Sequence, residues 1–243
     1  MTLEPIEMAN GIFSIIIVSI SIVMSVLVLM KYIKYRQRTF IYVALTAITL
    51  FSPWWSSSLS FIIAIFNDTG LQPFPTVYFL IMGVALAPTL LTWMLALDSL
   101  MEKKNKSRQL LIFAIFIESI IIDIIFVIFA ILNPIYIGIL LNPVDVSFNI
   151  VGIIFYVNAA IFFSSTTISF FLHSIRSPIQ EVRIKGIFML GSAFLFFIGT
   201  FGDAIIPLNF VNLAFMRIIL ILSLFLIYCS FHLPTFLKKL LIK

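Results

Sequence analysis

Seven long apolar stretches, separated by short polar segments, run along the 243-residue chain. A helix needs about 20 apolar residues to cross about 30 Å of hydrocarbon, and each stretch is long enough. The stretches lack the apolar–polar alternation of barrel strands, so helices are the structure that satisfies their backbone in lipid. The pattern predicts an all-α, polytopic membrane protein, in which residues 1–243 form a single seven-transmembrane-helix bundle. The predicted spans are 11–31, 40–66, 75–97, 109–132, 149–172, 185–204 and 210–232.

Basic residues are distributed unevenly between the connections. All but one of the 15 Lys and Arg residues lie between spans one and two, three and four, or five and six, or after span seven. The other connections carry acidic residues instead, among them Asp68 and Asp145. Because Lys- and Arg-rich loops stay in the cytoplasm, this alternation predicts an outside N-terminus and a cytoplasmic C-terminus. We therefore expect a multi-pass protein of the cell membrane with the lipid bilayer as its main partner.

Two segments outside the spans carry local signals of their own. The longest connection, 132–148, contains the pairs Asn133-Pro134 and Asn142-Pro143, which are typical of turns. The segment 235–243 combines Phe and Leu residues on one helical face with lysines. This second pattern resembles a short helix that lies along the inner membrane surface, although its lysines would also fix the orientation of the chain without one.

Composition excludes several classes of protein. Hydrophobic residues make up 62% of the chain and charged residues 10%, which rules out a soluble enzyme and a nucleic-acid-binding domain. The single cysteine, Cys229, rules out an intrachain disulfide. The sequence has no H-E-x-x-H motif, no serine–histidine pair at a common depth and no cluster of carboxylates. We predict no enzymatic activity, no catalytic residue, no metal site and no cofactor.

Each charged residue inside a span requires a physical explanation, because inserting a charged side chain at the membrane centre costs about 2.5–3.5 kcal/mol. Span four contains Glu118 and Asp123, and span seven contains Arg217. At a rise of 1.5 Å per residue, Asp123 lies roughly 13 Å and Arg217 roughly 10 Å from the outer surface, so a pair between them is possible. Asp203, at the end of the preceding helix, could also reach Arg217. These four residues are candidates for buried ion pairs, which would either line a polar cavity or fix helix packing.

Span two carries a second candidate site at mid-membrane. Pro53 should kink the helix there, and two tryptophans and three serines follow it. This stretch would form a small-molecule pocket at the kink, or it would provide small residues for close helix packing. Spans three and five add further polar side chains. The candidates for a ligand site or polar cavity are Trp54, Trp55, Ser56, Trp93, Asn158 and Arg217.

One segment resembles a known family. Residues 198–209 read IGTFGDAIIPLN, followed by Leu213 and Phe215-Met216. This segment is similar to the junction of the sixth and seventh helices in archaeal light-driven rhodopsins, which reads I-G-x-x-G-x-x-I-x-P-L-N. Residues 92–98, TWMLALD, are similar to the family's T-x-x-L-x-L-D in the third helix. The isoleucine-rich sequence and the ending 231–243 resemble uncharacterised archaeal seven-helix proteins.

The resemblance implies a rhodopsin-like fold without the pigment. The family's retinal-bearing lysine falls on Ser223, and its counter-ion aspartate falls on Ala87. The aromatic residues that hold the retinal ring fall on Met189 and Ser192, whereas Asp98 takes the place of an inner carboxylate. Because no lysine lies inside a span, a retinal Schiff base cannot form.

These observations favour a receptor-like or sensory protein that binds a small, partly apolar ligand. A helix shift would then reach a cytoplasmic protein partner, whose docking face should be acidic because the inner loops are basic. A small-solute or ion transporter or channel is the first alternative, with Glu118, Asp123 and Arg217 along the path. A non-catalytic membrane assembly protein is the second alternative. The sequence assigns no oligomeric state.

Overall fold

The structure is a computed structural model that describes residues 3–100, 106–205 and 209–241. Lys103, Lys104, Lys243 and the segment 206–208 lie outside the described residues. The helices are α1 (Pro5–Tyr35), α2 (Thr39–Thr49), α3 (Pro53–Asn67), α4 (Pro75–Gly83), α5 (Leu86–Leu100), α6 (Lys106–Leu132), α7 (Ile150–Ser174), α8 (Gln180–Ile205), α9 (Phe210–Phe231) and α10 (Thr235–Leu241). Two strands, β1 (Gly138–Asn142) and β2 (Asp145–Phe148), lie between α6 and α7.

The apolar helices are long enough to cross a membrane. Among the described residues, six helical segments pass this test, and α2 with α3 adds a seventh if that bent pair is one span. The segment Pro75–Leu100, which contains α4 and α5, counts as one of the six. The prediction of an all-α chain with several helices long and apolar enough to span a membrane is therefore confirmed. The number seven depends on the bent pair, and the orientation of the termini stays a prediction.

The bend in span two occurs where the sequence predicts it. The axes of α2 and α3 differ by 51°, and Pro53 is the first residue of α3. Proline has no N–H to donate, so the helical hydrogen bonding is interrupted there. The Ser52 hydroxyl donates to the carbonyl oxygen of Met82 at 3.1 Å, which ties the break to α4.

A second break divides the third predicted span, which the sequence analysis expected to be continuous. Helix α4 ends at Gly83 and α5 begins at Leu86. Pro88 lies in the first turn of α5, where a missing N–H costs no helical hydrogen bond. Gly83 packs against the ring of Phe126, in space that a Cβ atom would occupy. Pro88 is therefore a signal in the sequence from which this break could have been predicted.

The connection after α6 forms a β-hairpin, which the turn signals alone did not predict. Strands β1 and β2 pair antiparallel, with Gly138 opposite Phe148 and Asn142 opposite Asp145. The expected turn at Asn142-Pro143 is confirmed, and the Asn142 side chain accepts the Val144 N–H at 3.0 Å. We call the end of the bundle that carries this hairpin the hairpin end, and the other end the opposite end.

Two apolar clusters hold the bundle together. One joins α1, α2, α5, α7, α8 and α9 around Phe51, Trp93 and Leu220. The other joins α4, α6 and α7 around Phe79 and Phe126. Most remaining apolar side chains of α6 face outward, as expected for a helix in contact with lipid.

Helix α10 lies against the start of α8 at the opposite end. The Lys238 ammonium contacts a carboxylate oxygen of Glu181 at 2.6 Å, and Gln180 donates to the Leu241 carbonyl oxygen at 3.0 Å. Phe236 and Leu240 stay exposed. A short helix with exposed apolar residues and lysines fits the expected interfacial helix, whose contact with the membrane remains a prediction.

Candidate functional site

A cavity of about 350 Å³ opens among the described residues at the hairpin end. Helices α1, α3, α4, α7, α8 and α9 form its walls, and the hairpin forms its roof. This volume lies within the range of small-molecule sites in proteins. The lining is mainly apolar, with a few polar side chains that converge on it. Arg217, Asp203, Trp54, Asn10, Tyr78 and Tyr156 are the residues on which its chemistry depends.

An ion pair forms the polar centre of the cavity wall. The Arg217 Nη2 atom lies 3.2 Å from Oδ2 of Asp203, and it donates to Oδ1 of Asn10 at 2.6 Å. The Trp54 indole N–H donates to the same Asp203 oxygen at 3.2 Å. The guanidinium also lies 5.5 Å from the centre of a Trp54 ring, which allows a cation–π contact. Four helices are thus joined through one arginine.

Helix ends and glycines place these groups. Asn209 is the N-cap of α9, and its side-chain oxygen accepts the Asn212 N–H at 2.8 Å, which fixes the start of the helix. In α8, Gly199 faces Leu220 and Gly202 faces Met216, and a Cβ atom at either glycine would overlap these side chains. The glycines therefore let α8 and α9 approach closely, and Asp203 comes to lie beside Arg217. This contact accounts for the G-x-x-G pattern in 198–209.

Several polar atoms near the cavity have no hydrogen-bond partner among the residues that the structure describes. They are Nε and Nη1 of Arg217, the Tyr156 hydroxyl and the Thr200 hydroxyl, and all are buried. Buried polar groups normally have hydrogen-bond partners, because an unpaired one costs about 1–3 kcal/mol. The surrounding protein covers each of these atoms, so a ligand with hydrogen-bond acceptors would satisfy them only after the cavity wall shifts. Tyr78 differs, since its hydroxyl is 2.7 Å from that of Ser57.

The hairpin closes the cavity and brings a second carboxylate to it. Val144 and Asp145 line the cavity from the roof, and the Asn10 amide donates to the Val144 carbonyl oxygen at 3.4 Å. One Asp145 oxygen accepts the Val146 N–H at 2.9 Å. Burial raises the pKa of the Asp145 carboxyl, and its hydrogen bond and the positive charge of Arg217 only partly offset this effect.

The structure brings together three of the residues proposed from sequence. Trp54, Asp203 and Arg217 meet at the cavity. Trp55 and Ser56 follow Trp54 but do not line the cavity. The Trp55 indole nitrogen is buried and has no partner among the described residues, and the Ser56 hydroxyl donates to the Pro53 carbonyl oxygen at 3.2 Å.

Two other proposed ligand residues also lie elsewhere. Trp93 is buried in the bundle core, where its indole N–H donates to the Thr166 hydroxyl at 3.0 Å. Asn158 lines a separate void of about 10 Å³ between α5, α6 and α7, which is room for about one water molecule. Neither side chain reaches the cavity at the hairpin end.

The carboxylates of span four do not pair with Arg217. Asp123 is half-buried and accepts the backbone N–H of Ala87, in the first turn of α5, while its Oδ1 has no partner within the described part of the chain. Glu118 is exposed on the outward face of α6. Similar depth made a pair between Asp123 and Arg217 possible, but α6 packs mainly against α4 and α5, whereas α9 packs mainly against α8 and α1.

Four residues of the site were missed by the sequence analysis: Asn10, Tyr78, Asp145 and Tyr156. Asn10 is 2% exposed within α1, but it lies just before the first predicted span, which begins at residue 11, so its burial gave no signal in the sequence. Asp145 was counted only as an outer-loop charge, because nothing local to it shows that the connection folds over the bundle. The two tyrosines looked like ordinary interfacial aromatics.

Comparison with known proteins adds no relative: no protein-family model and no curated protein matches the chain. The position that the rhodopsin resemblance gives to the retinal lysine, Ser223, is buried in α9. Within the part of the chain that the structure describes, no three His, Cys, Asp or Glu side chains are grouped to hold a metal ion.

Proposed function

We propose that the chain is a receptor-like seven-helix protein of the cell membrane, which binds a small molecule from the outside in the cavity at the hairpin end. In this proposal the basic opposite end faces the cytoplasm, as the positive-inside rule requires. The observation that carries it is the cavity of about 350 Å³ whose wall contains the Arg217–Asp203 pair, in which two buried nitrogen donors of Arg217 have no partner among the described residues. A purely structural ion pair would leave fewer donors unsatisfied.

A line of packed aromatic rings supports transmission from the cavity to the opposite end. Neighbouring rings in this line lie between 4.6 and 6.3 Å apart, centre to centre. Close-packed side chains shift together rather than independently, so a displaced cavity wall would move its neighbours. The line runs through Trp54, Phe51, Phe196, Phe163, Trp93 and Phe231.

The bend between α2 and α3 gives this transmission a hinge. Trp54 follows the bend at Pro53 directly and touches both members of the ion pair. A ligand that pulls Arg217 away from Trp54 would change the angle between the two helices. The exposed arginines of the opposite end, Arg36, Arg38, Arg176 and Arg183, would then present a changed surface to a partner with an acidic face.

We consider transport the weaker of the two candidate functions. The cavity adjoins the buried cluster around Phe51, Trp93 and Leu220, so the described residues show an apolar core where a carrier needs a path. The charges once considered for such a path, Glu118 and Asp123, lie away from Arg217 on α6. The ligand screen below also tests the alternative of a membrane assembly protein, because that role requires no ligand.

A ligand screen by thermal unfolding in detergent tests the proposal. Cys229 is the single cysteine and is buried, so a thiol-reactive dye reports unfolding without added labels. A ligand at about 100 times its Kd adds about 2.7 kcal/mol of stability. The same compounds are applied to Trp54→Phe and to the matched control Trp55→Phe.

We expect at least one class of small amphiphilic molecule to raise the melting temperature of the wild-type protein and of Trp55→Phe. The shift should be reduced in Trp54→Phe, because that variant loses the indole N–H that holds Asp203. If no compound stabilises the protein, or if Trp54→Phe and Trp55→Phe respond alike, the proposed binding site is wrong.

A further inference from the structure

The charges around the cavity do not cancel. Arg217 and Asp203 form a pair at 3.2 Å, which is neutral as a unit. Asp145 adds a second carboxylate, close enough to act electrostatically on both partners. Among the described residues that line the cavity, Arg217 is the one cationic side chain. With both carboxylates ionised, the site carries one negative charge in excess.

Asp145 lies where it could contact a ligand in the cavity. It is the first residue of β2, in the roof, while the ion pair lies in the wall formed by α8 and α9. The Arg217 atom that contacts Asp203 is the same Nη2 that donates to Asn10. Nη2 of Arg217 is therefore already occupied by wall residues, and a positive group inside the cavity would balance the carboxylate of the roof.

Aromatic side chains surround the same space. Trp54, Tyr78, Phe148, Tyr156 and Phe201 line the cavity from four helices and the hairpin. Ring faces carry negative partial charge and attract ammonium groups within about 6 Å of the ring centre. The aromatic lining also accommodates an apolar body. Both properties of the wall agree with the excess negative charge.

The unpartnered donors set a second requirement. Two nitrogen donors of Arg217 and the hydroxyls of Tyr156 and Thr200 have no partner among the described residues. Because the surrounding protein covers these atoms, oxygen acceptors of a ligand would satisfy them after a shift of the cavity wall. A carboxylate ligand would add a second excess negative charge to the site, whereas a carbonyl, ether or hydroxyl oxygen would not.

We propose, resting on the proposed function above, that the occupant is a small organic cation: an ammonium group on an aromatic or aliphatic body that also carries a neutral oxygen acceptor. The ammonium group lies between Asp145 and the aromatic rings. The oxygen acceptor lies toward the free donors of Arg217 and Thr200. The 350 Å³ cavity limits the ligand to about the size of a single amino-acid derivative.

Four compounds that share one phenylpropyl skeleton separate charge from shape. Phenylalaninamide is a cation with a neutral carbonyl, phenylalanine is a zwitterion, phenylpropionamide is neutral and phenylpropionate is an anion. Dissociation constants are measured on the full chain in detergent by calorimetry. We expect phenylalaninamide to bind at least about tenfold more tightly than phenylpropionamide, because a partly buried charge pair readily supplies the 1.4 kcal/mol of a tenfold change. We expect phenylpropionate to bind most weakly.

Two variants test whether the preference for a cation comes from Asp145. Asp145→Asn should weaken binding of phenylalaninamide about tenfold and leave phenylpropionamide unchanged, since it removes only the charge. Asp68→Asn makes the same replacement at an exposed residue of the same end, outside the cavity, and should change neither constant. The comparison of compounds on the wild-type protein decides the question even if Asp145→Asn does not fold.

The outcomes distinguish this inference from the proposed function. If the neutral or anionic compound binds as tightly as the cation, the cation preference is wrong, while a binding site exists. If none of the four compounds binds, the inference is wrong, and the broader ligand screen alone decides the proposed function. If Asp145→Asn weakens all four compounds equally, Asp145 shapes the roof and does not select charge.

Discussion

Replacing Arg217 with glutamine would leave the Asp203 carboxylate in the wall of the cavity without its cation. At 3.2 Å and an effective dielectric constant of about 20, the attraction between the two charges is about 5 kcal/mol before desolvation is counted. Removing one partner of a buried pair typically costs about 3–5 kcal/mol, because the remaining charge stays buried. Arg217→Gln also removes the 2.6 Å hydrogen bond to Asn10 and the contact with Trp54. We therefore expect a loss near the upper end of that range.

Thermal unfolding in detergent, read by the reactivity of Cys229, measures this loss. For a chain of this size, about 3–5 kcal/mol corresponds to a fall in melting temperature of roughly 6–20 °C. The double variant Arg217→Gln/Asp203→Asn serves as control and should recover part of the loss, because no unpaired charge remains. If Arg217→Gln melts at the wild-type temperature, or if the double variant is less stable than Arg217→Gln, the ion pair does not hold the site together.

Two further predictions follow from the contacts. Because burial raises the pKa of Asp145, the folded protein keeps its proton to a higher pH than the unfolded chain, and ionisation then costs stability. Below the usual Asp pKa of about 3.9, Asp145→Asn should have the same melting temperature as the wild-type protein. As the pH rises through the raised pKa of Asp145, the variant should melt at an increasingly higher temperature than the wild type. A difference in melting temperature that does not change with pH would contradict this prediction. Gly199→Ala should lower the free energy of unfolding by about 1–3 kcal/mol, because the added methyl group would overlap Leu220. Gly191→Ala, in the same helix, is the control, because a Cβ atom there would make only an ordinary contact. Equal melting temperatures of the two variants would contradict the packing of α8 on α9.

The hydrophobic pattern predicted the helices well because length and apolarity are local properties. The bend at Pro53 was also readable, since a proline breaks helical hydrogen bonding wherever its neighbours lie. The break after Gly83 was missed, although Pro88 marks it, because a proline in the first turn of a helix was taken as part of one continuous span. The hairpin was missed because turn signals give the position of a turn and not the pairing of its flanks.

The site could be predicted only in part. Arg217 was identified as a charge inside a span, and Asp203 as a carboxylate near the end of the preceding helix, only a short connection before α9. Asn10 is 207 residues from Arg217 along the chain, so no local pattern connects them. Asp123 illustrates the reverse error: equal depth allowed a pair with Arg217, but the order of helices around the bundle placed it against Ala87. Side-chain neighbours across a bundle depend on packing that span prediction does not address.

Thiol labelling of a cavity cysteine tests most directly whether the space at the hairpin end is a site open to ligands from outside. Val157→Cys would line the cavity, and Ile161→Cys, one turn further along α7, would face lipid, where Ile161 is 63% exposed. A thiol reacts as the thiolate, which forms in a hydrated cavity and not in hydrocarbon. We predict that a membrane-impermeant cationic thiol reagent, added to the outside of sealed cells, labels Val157→Cys and not Ile161→Cys, and that phenylalaninamide slows the reaction. Equal labelling of both cysteines, labelling only from the cytoplasmic side, or no labelling of Val157→Cys would contradict the account.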